Sequence, residues 1–455
     1  MRVTRIELDG IGPFEDVVLE FPEPSGPGEV VLFEGPNGSG KTTIAQFLTV
    51  SVGSPHLFGA GRSGLGPPQG ELDRRFTSPA GHAHAVIQEN GSSVRLGLTR
   101  TGVDRYDIER AAQPLPPPVT RLVELHRAAL EDEPTSWAAF AFRGHASSAI
   151  LEASGPQPIH VAALAGALSF AGSGAASGLL GQFLTNIEFD RVQAKVYATE
   201  KQGDPESGRF LAVATSRKHA QERLQHALSR VLDRKIEIHF PLGQRAPRVL
   251  FDSEEIPIDL LGEGMRNTFS WLSDLLVRLE RTPWAEPERS PFDQNFWLIL
   301  DEIEESLHPT MQARVLPAIR ELFPNARIYA TTHSPFVVAS LGEGHVFSLR
   351  PDPKSRRVRG HIHPTPIEHG RSLEWVVDEI FSAPSGFVDQ ETRDRLATHL
   401  AGVNALRRGA DVGWDGFLEA RAWLLALNEE VRAVVASREV PVRGAIAAKV
   451  QERSA

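Results

Sequence analysis

The chain has 455 residues, of which 41% are hydrophobic and 23% charged, so it can bury a sizeable core and form two or three subdomains. Its formal net charge of −10 argues against coating of DNA by the whole surface, although a local basic patch is still compatible with it. The absence of cysteine excludes disulfides and thiolate metal sites and favours a reducing compartment. We find no apolar secretory core and no run of about 18 apolar residues, so we expect a cytoplasmic protein that does not contact the membrane.

The first fifty residues contain a predicted phosphate-binding loop. The strand-like runs RVTRIEL, DVVLEF and EVVLFEG come first, and an amphipathic helix begins at KTTIAQ. Between the last strand and the helix, the segment GPNGSGKTT has the spacing of a P-loop, and glycines let successive backbone N–H groups point at a polyphosphate. We predict that ATP binds at Gly35, Asn37, Gly38, Ser39, Gly40, Lys41, Thr42 and Thr43.

Two P-loop side chains have predicted chemical roles. Lys41 would reach the β and γ phosphates and assist catalysis, and the hydroxyl of Thr42 would ligate Mg²⁺. A loop that is merely rich in glycine is the alternative, but the strand before it and the helix after it supply the context that a P-loop needs.

The next segments predict a β-meander and then a helical insertion. The runs HAHAVIQEN, SSVRLGLTR and DRYDIER are strand-like, and Asn90-Gly91 marks a tight turn; they complete a lobe over 1–118. Helical spacing dominates over 119–235. The helix predicted over 217–235 is a candidate for contact with a DNA backbone, and an ordinary solvated face is the alternative; its basic residues are Arg217, Lys218, Arg223, Arg230, Arg234 and Lys235.

A second glycine-rich segment lies in LLGEGMRNTFSWLSDLLVRL. Gly262 and Gly264 flank the predicted start of a helix whose apolar residues recur at helical spacing. Bare N–H groups at a helix start can bind an anion, whereas an ordinary turn before a core helix is the alternative reading.

The segment NFWLILDEIEESLHP predicts a buried parallel strand that ends in two acids. Asp301 is expected to hold Mg²⁺ through its water shell, and Glu302 to orient and deprotonate the attacking water. Acids that decorate a helix start are the alternative. The next buried strand, RIYATT, leads to His333, which is placed to bond the γ-phosphate and report its presence. We predict a second lobe over 236–350 and a helical C-terminal region over 364–455.

The order of these motifs resembles that of an ATP-binding-cassette (ABC) ATPase head. GPNGSGKTT, LGEGMR, LILDE and TTH follow one another as in the RecF/SMC-like branch. DEIEESLHP with ATTHSP looks like the heads of overcoming-lysogenization-defect proteins and of Septu-type anti-phage ATPases. The similarity covers 1–50 and 250–345. It implies an α/β P-loop NTPase fold with a mixed sheet, a β-meander subdomain, an inserted helical subdomain and a helical C-terminal tail.

The resemblance also implies residue roles and partners. Lys41 and Thr42 look like the P-loop pair, Asp301 and Glu302 like the Walker B acids, and His333 like the switch histidine. Gly262 and Gly264 look like the signature loop, which in such heads closes on the nucleotide of the opposing subunit; this implies a head-to-tail, ATP-sandwiched homodimer or a higher oligomer. A glycine, Gly262, stands where the signature serine is usual. The strand predicted from WAAFAFRGH ends near Arg143, which is the candidate for the Q-loop position.

Effector chemistry is not expected in this chain. The residues after His333 contain no Asp-x-Asp pair, so we expect no nuclease domain and instead a separate effector such as a nuclease or toxin. The predicted function is an ATP-binding and ATP-hydrolysing switch that controls this effector in anti-phage defence. The alternatives are a RecF-like ATPase that clamps DNA itself and, less favoured, the ATPase subunit of a transporter.

Overall fold

The computed structural model describes residues 1–24, 26, 28–53, 72, 74–99, 102–104, 115–144, 155–170, 179–201, 206–241, 247–381, 389–427 and 429–454. They form two compact units, Met1–Arg371 and Ser372–Ala455. The strands of the described residues all lie in the first unit: β1 (Arg2–Asp9), β2 (Phe14–Glu20), β3 (Val30–Glu34), β4 (His82–Glu89), β5 (Ser92–Thr99), β6 (Gly102–Asp104), β7 (Ala138–Arg143), β8 (Ile236–His239), β9 (Arg248–Phe251), β10 (Phe296–Asp301), β11 (Arg327–Thr332), β12 (Gly344–Ser348), β13 (Val358–Ile362) and β14 (Thr365–Ile367).

One six-stranded sheet is mostly antiparallel, in the order β13-β2-β1-β4-β5-β6. It contains the predicted meander, and Asn90 and Gly91 join β4 to β5 with positive φ angles, as a tight hairpin requires. Nearly all of the predicted run DRYDIER, residues 104–110, lies outside the described residues. This sheet places the turn between β1 and β2 beside the P-loop.

The second six-stranded sheet carries the candidate site, in the order β14-β12-β3-β11-β10-β7. All its pairs are parallel except β12 with β14, and every residue of β3 and β10 is buried, as expected of parallel strands covered on both faces. The carboxyl ends of β3, β11, β10 and β7 therefore lie at one edge. That edge is where ligands bind in open α/β sheets.

Strand β7 lies within 119–235, where helical spacing dominates, and it coincides with the strand predicted from WAAFAFRGH. Its run AAFAFR pairs with β10 from Ala138 opposite Phe296 to Arg143 opposite Asp301. The first four residues of the run are small or aromatic and fully buried, so the run is suited to the interior of a parallel sheet. The central sheet thus takes one strand from inside that range.

The helices of the first unit pack around the two sheets. Their bounds are α1 (Lys41–Gly53), α2 (Pro117–Glu131), α3 (Leu179–Glu200), α4 (Ser207–Leu232), α5 (Glu263–Arg281), α6 (Pro309–Leu322) and α7 (Pro335–Ala339). Helices α3 and α4 pack on each other as a helical hairpin within the range predicted to be helical, and β8 and β9 form a separate two-stranded antiparallel pair.

The second unit is helical. A short turn, Leu373–Trp375, continues as a π-helical segment, Val376–Ile380, and four helices follow: α8 (Gln390–Arg407), α9 (Trp414–Ala426), α10 (Glu429–Glu439) and α11 (Arg443–Ser454). The unit begins after β14, which pairs with β12 in the first unit, so residues 364–371 of the predicted C-terminal region belong to the first unit. None of the described helices combines the length and apolarity needed to cross a bilayer.

Candidate nucleotide-binding site

The P-loop connects β3 to α1, and its glycines meet steric requirements. Gly38 and Gly40 have φ angles of 81° and 99°, in the left-handed region that favours glycine. A methyl group at Gly40 would lie 2.3 Å from the ring of Phe14, and one at Gly35 would lie 2.5 Å from the hydroxyl of Ser39. The loop is therefore wrapped closely by its own chain and by β2.

Lys41 begins α1 and is buried, with only 4% of its surface exposed. Its ammonium donates to the carbonyl oxygens of Gly35 at 2.7 Å and Pro36 at 3.3 Å. Burial lowers the pKa of Lys41, while the carboxylates of Glu304 and Glu302 act in the opposite direction. The ammonium is thus held inside the curl of the P-loop.

Asp301 connects three segments of the chain. The hydroxyl of Thr42 donates to Asp301 Oδ1 at 3.2 Å, and the hydroxyl of Thr331 donates to the same oxygen at 2.7 Å. Arg143 Nε lies 3.5 Å from Asp301 Oδ2. Burial raises the pKa of Asp301, and the Thr331 hydrogen bond and the Arg143 charge offset part of that rise. The ends of β7, β10 and β11 and the start of α1 therefore meet at one carboxylate.

Glu302 adopts an uncommon backbone conformation for a residue with a side chain. Its φ is 53°, and its N–H donates to the hydroxyl of Thr331 at 2.8 Å. Burial raises the pKa of Glu302, and the neighbouring charges of Asp301 and Glu305 raise it further. A carboxylate whose pKa moves towards neutrality is a better proton acceptor at physiological pH.

His333 follows β11 and contacts the turn after β10. Its backbone N–H donates to Glu304 Oε1 at 2.5 Å, and its ring Nδ1 lies 3.0 Å from the same oxygen. Half of the ring is exposed, whereas Glu304 is buried. The hydrogen bond to Glu304 raises the pKa of His333.

A pocket of about 320 Å³ lies beside the P-loop, and Gly35, Ser39, Asp301 and His333 are not among the residues that line it. The predicted residues that line it are Asn37, Gly38, Gly40, Lys41, Thr42, Thr43 and Glu302. Sequence reasoning missed three further lining residues, Gly12, Pro13 and Arg75. Arg75 donates to the side chains of Gln46 and Thr43, so a cation borders the pocket beside the P-loop. The spacing of its neighbours in sequence gives no signal for Arg75, whereas Gly12-Pro13 is a recognisable turn between two strands.

The pocket offers suitable ligands for Mg²⁺. A hydroxyl and a carboxylate, those of Thr42 and Asp301, lie in hydrogen-bond contact, and oxygen donors are what Mg²⁺ prefers. No group of three or more His, Asp or Glu side chains capable of holding a metal occurs among the described residues. This donor set fits an ion that takes its other ligands from water and phosphate oxygens.

The structure separates the two glycine-rich elements. Neither Gly262 nor Gly264 is among the residues that line the P-loop pocket. A methyl group at Gly264 would lie 2.2 Å from the carbonyl oxygen of Ser306, in the turn after β10, whereas a methyl group at Gly262 would meet nothing within 4 Å. The start of α5 thus packs on the turn that carries Glu304 while leaving Gly262 open.

The candidate DNA-binding helix carries paired charges. All six basic residues lie 2.5 to 3.2 Å from a carboxylate; their partners, in chain order, are Asp190, Glu222, Glu280, Glu321, Asp252 and Glu237. The helix ends at Leu232, because Asp233 takes the left-handed conformation that terminates it. Its basic residues are therefore ion-paired within this chain, and their contact with a DNA backbone stays a prediction.

Two family models match the chain. One described as "AAA domain, putative AbiEii toxin, Type IV TA system" matches residues 196–339, and one described as "AAA domain" matches residues 5–105. Among solved structures, an SMC head bound to the C-terminal winged-helix domain of ScpA aligns over 81% of this chain and 98% of its own, at 12% identity and a TM-score of 0.41. The SMC head domain from Thermotoga maritima aligns over 81% and 100%, at 14% identity and a TM-score of 0.36.

Curated relatives match about a third of this chain. The Retron Ec83 probable ATPase of Escherichia coli is 26% identical over 141 residues, which are 30% of this chain and 24% of that protein. The Septu protein PtuA of Bacillus thuringiensis is 26% identical over 142 residues, which are 31% of this chain and 35% of that protein. The chain thus aligns with about a quarter of the retron protein and about a third of PtuA. This chain is therefore similar, over about a third of its length, to the Retron Ec83 probable ATPase and the Septu protein PtuA, and the resemblance to Septu-type ATPases predicted from its motifs is confirmed.

Proposed function

We propose that this chain binds ATP with Mg²⁺, hydrolyses it, and uses the cycle to switch a partner effector in anti-phage defence. The observation that carries the proposal is the hydrogen-bonded link from Thr42 through Asp301 to Thr331. This link joins the P-loop to the carboxyl ends of β10 and β11. It gathers a phosphate cradle, an oxygen donor pair and a carboxylate base around one pocket.

In this proposal each side chain has one task. The P-loop N–H groups and Lys41 hold the phosphates, and Thr42 and Asp301 hold Mg²⁺, which when bound neutralises charge on the phosphate oxygens. Glu302 accepts a proton from the water that attacks the γ-phosphorus. The bond from the γ-phosphorus to the bridging oxygen breaks, which gives inorganic phosphate and leaves ADP bound with its β-phosphate in the P-loop. His333 contacts the γ-phosphate.

The first test is steady-state ATP turnover of the purified chain. Glu302→Gln should lower kcat by about 10²-fold or more, because the amide cannot accept the proton, while ATP binding persists. Measuring binding of a fluorescent ATP analogue separates the two effects. Turnover in the variant equal to that of the wild type would contradict the role of Glu302 as the base.

Adding double-stranded DNA to the same assay discriminates between a protein effector and direct DNA clamping. The ion-paired charges of α4 support a protein effector. The α3–α4 hairpin also exposes apolar side chains that suit contact with a protein: Phe189, Val192, Val196, Tyr197, Leu211 and Val213. We expect turnover that is indifferent to DNA. A clear stimulation by DNA would instead favour the RecF-like alternative.

We also propose that two copies close head to tail on ATP. The position of Gly262 supports this, since the loop at the start of α5 lies outside its own P-loop pocket and has space in front of it. A helix start of this kind presents N–H groups to an anion, here the nucleotide of the opposing copy.

A further inference from the structure

A buried carboxylate that the proposed cycle does not use lies beside His333. Glu304 is 2% exposed and occupies the turn after β10, three residues beyond Asp301. Its Oε1 accepts the backbone N–H of His333 and contacts ring Nδ1. Its Oε2 has no hydrogen-bond partner within the part of the chain that the structure describes. Burying a carboxylate in this way is costly, which calls for a compensating role.

The contact favours a proton on one ring nitrogen of His333. A carboxylate oxygen can only accept, so a hydrogen bond across the 3.0 Å between Nδ1 and Glu304 Oε1 requires the proton on Nδ1. In a neutral imidazole with its proton on Nδ1, Nε2 carries a lone pair. Phosphate oxygens are also acceptors, so that neutral tautomer would present a lone pair to the γ-phosphate.

A hydrogen bond from Nε2 to a phosphate oxygen therefore requires the doubly protonated ring. Within the first unit, the charged groups that act on His333 are Glu304 and Glu302, which favour the cation, and Lys41, which opposes it. Glu304 also has the largest favourable charge effect on buried Lys41. One buried carboxylate thus supports two cations at the phosphate pocket.

We propose that Glu304 is a positioning residue that holds His333 as a cation, with Nδ1–H bound to Glu304 and Nε2–H directed to the γ-phosphate. The inference rests on the proposed hydrolysis of ATP and refines it, because the switch histidine becomes a charge-assisted donor. It also predicts a pH dependence: turnover falls as pH rises through the elevated pKa of His333, since deprotonation removes the donor.

The structural part of the proposal is tested without nucleotide. Nitrogen-15 labelling of the histidines, with His333→Gln to identify one signal among 16, gives the tautomer and the titration midpoint of His333. We expect an Nδ1–H tautomer and a midpoint above 6.5. Glu304→Gln keeps an acceptor oxygen but removes the charge, and it should lower the midpoint by about one pH unit. Glu304→Asp retains the charge, so the His333 midpoint in this variant should lie between those of the wild type and Glu304→Gln.

The control is Glu305→Gln, which removes a neighbouring carboxylate whose charge is not among those that set the pKa of His333, and it should leave the midpoint unchanged. Either of two results would overturn the proposed pairing of Glu304 with His333: an Nε2–H tautomer in the wild type, or equal titration midpoints for the wild type and Glu304→Gln. If Glu304→Gln is poorly folded, the wild-type tautomer and the Glu304→Asp midpoint decide.

The functional part is tested by pH profiles of kcat/KM for ATP. The pH at which kcat/KM falls on the alkaline side should be about one pH unit lower in Glu304→Gln than in the wild type, as for the titration midpoint of His333. If the midpoint shifts but the pH of this fall does not, the positioning role is refuted and the proposed ATPase activity is not. A wild type without turnover would refute the proposed function but not the pairing of Glu304 with His333, because the tautomer and midpoint of His333 are measured without nucleotide.

Discussion

At the scale of single residues, one hydroxyl supports both acids that follow β10. Thr331 Oγ1 accepts the N–H of Glu302 and donates to Asp301, and it is almost completely buried. The left-handed backbone at Glu302 has a steric cost that neighbouring contacts must offset. Thr331 supplies one such contact, so it serves the site without touching a ligand.

Thr331→Val should lower the free energy of unfolding by about 1–3 kcal/mol, because it removes two buried hydrogen bonds while keeping the shape of the side chain. Thr331→Ser keeps the hydroxyl and should retain most of the stability. Urea unfolding of both variants measures the difference. A valine variant as stable as the wild type would show that the two acids do not depend on this hydroxyl.

At the scale of elements, helix α2 is bonded to the end of the P-loop helix through a histidine. His126 is buried and donates from Nε2 to the carbonyl oxygen of Val52 at 3.2 Å. Burial lowers the pKa of His126 to about 4. The neutral ring is thus built into the contact between α1 and α2.

This burial predicts acid sensitivity. As pH falls from 6.5, the unfolded chain binds a proton at His126 before the folded chain does, so the free energy of unfolding declines until about pH 4. The decline from this group is on the order of 3 kcal/mol. Urea unfolding at several pH values should show a weaker decline in His126→Gln, which keeps a donor for Val52. The same decline in both proteins would contradict this assignment.

The elements that carry chemistry are those that the sequence predicts well. β3, β10 and β11 are short, continuous apolar runs with motifs at their ends, and the topology of a parallel sheet brings those ends together. Partners that come from elsewhere in the chain could not be predicted in the same way. Arg75 and Glu304 act through contacts that only the folded chain creates.

At the scale of the whole molecule, the proposed ATP-bound dimer makes a measurable prediction. Glu302→Gln with Mg²⁺ and ATP should run at twice the monomer mass of 49.8 kDa in size-exclusion chromatography with light scattering, and at the monomer mass without nucleotide. Gly262→Asp, added to this variant, should prevent the doubling because its carboxylate would repel the phosphates of the opposing nucleotide.

Gly262→Ala is the matched control, since a methyl group there meets nothing within 4 Å and the φ of −53° suits alanine. It should dimerise as well as its parent. The proposed closure would be refuted if the mass did not respond to ATP, or if Gly262→Asp dimerised like the alanine control.

The turn from Asp301 to Ser306 is gripped at both ends by glycines from other segments. A methyl group at Gly144 would lie 1.9 Å from the carbonyl oxygen of Glu302, and one at Gly264 would lie 2.2 Å from that of Ser306. Both ends of the turn are closely packed, so neither end can move without displacing its neighbour. If a partner protein displaced helix α5, we expect the turn, including the proposed base Glu302, to move with the helix.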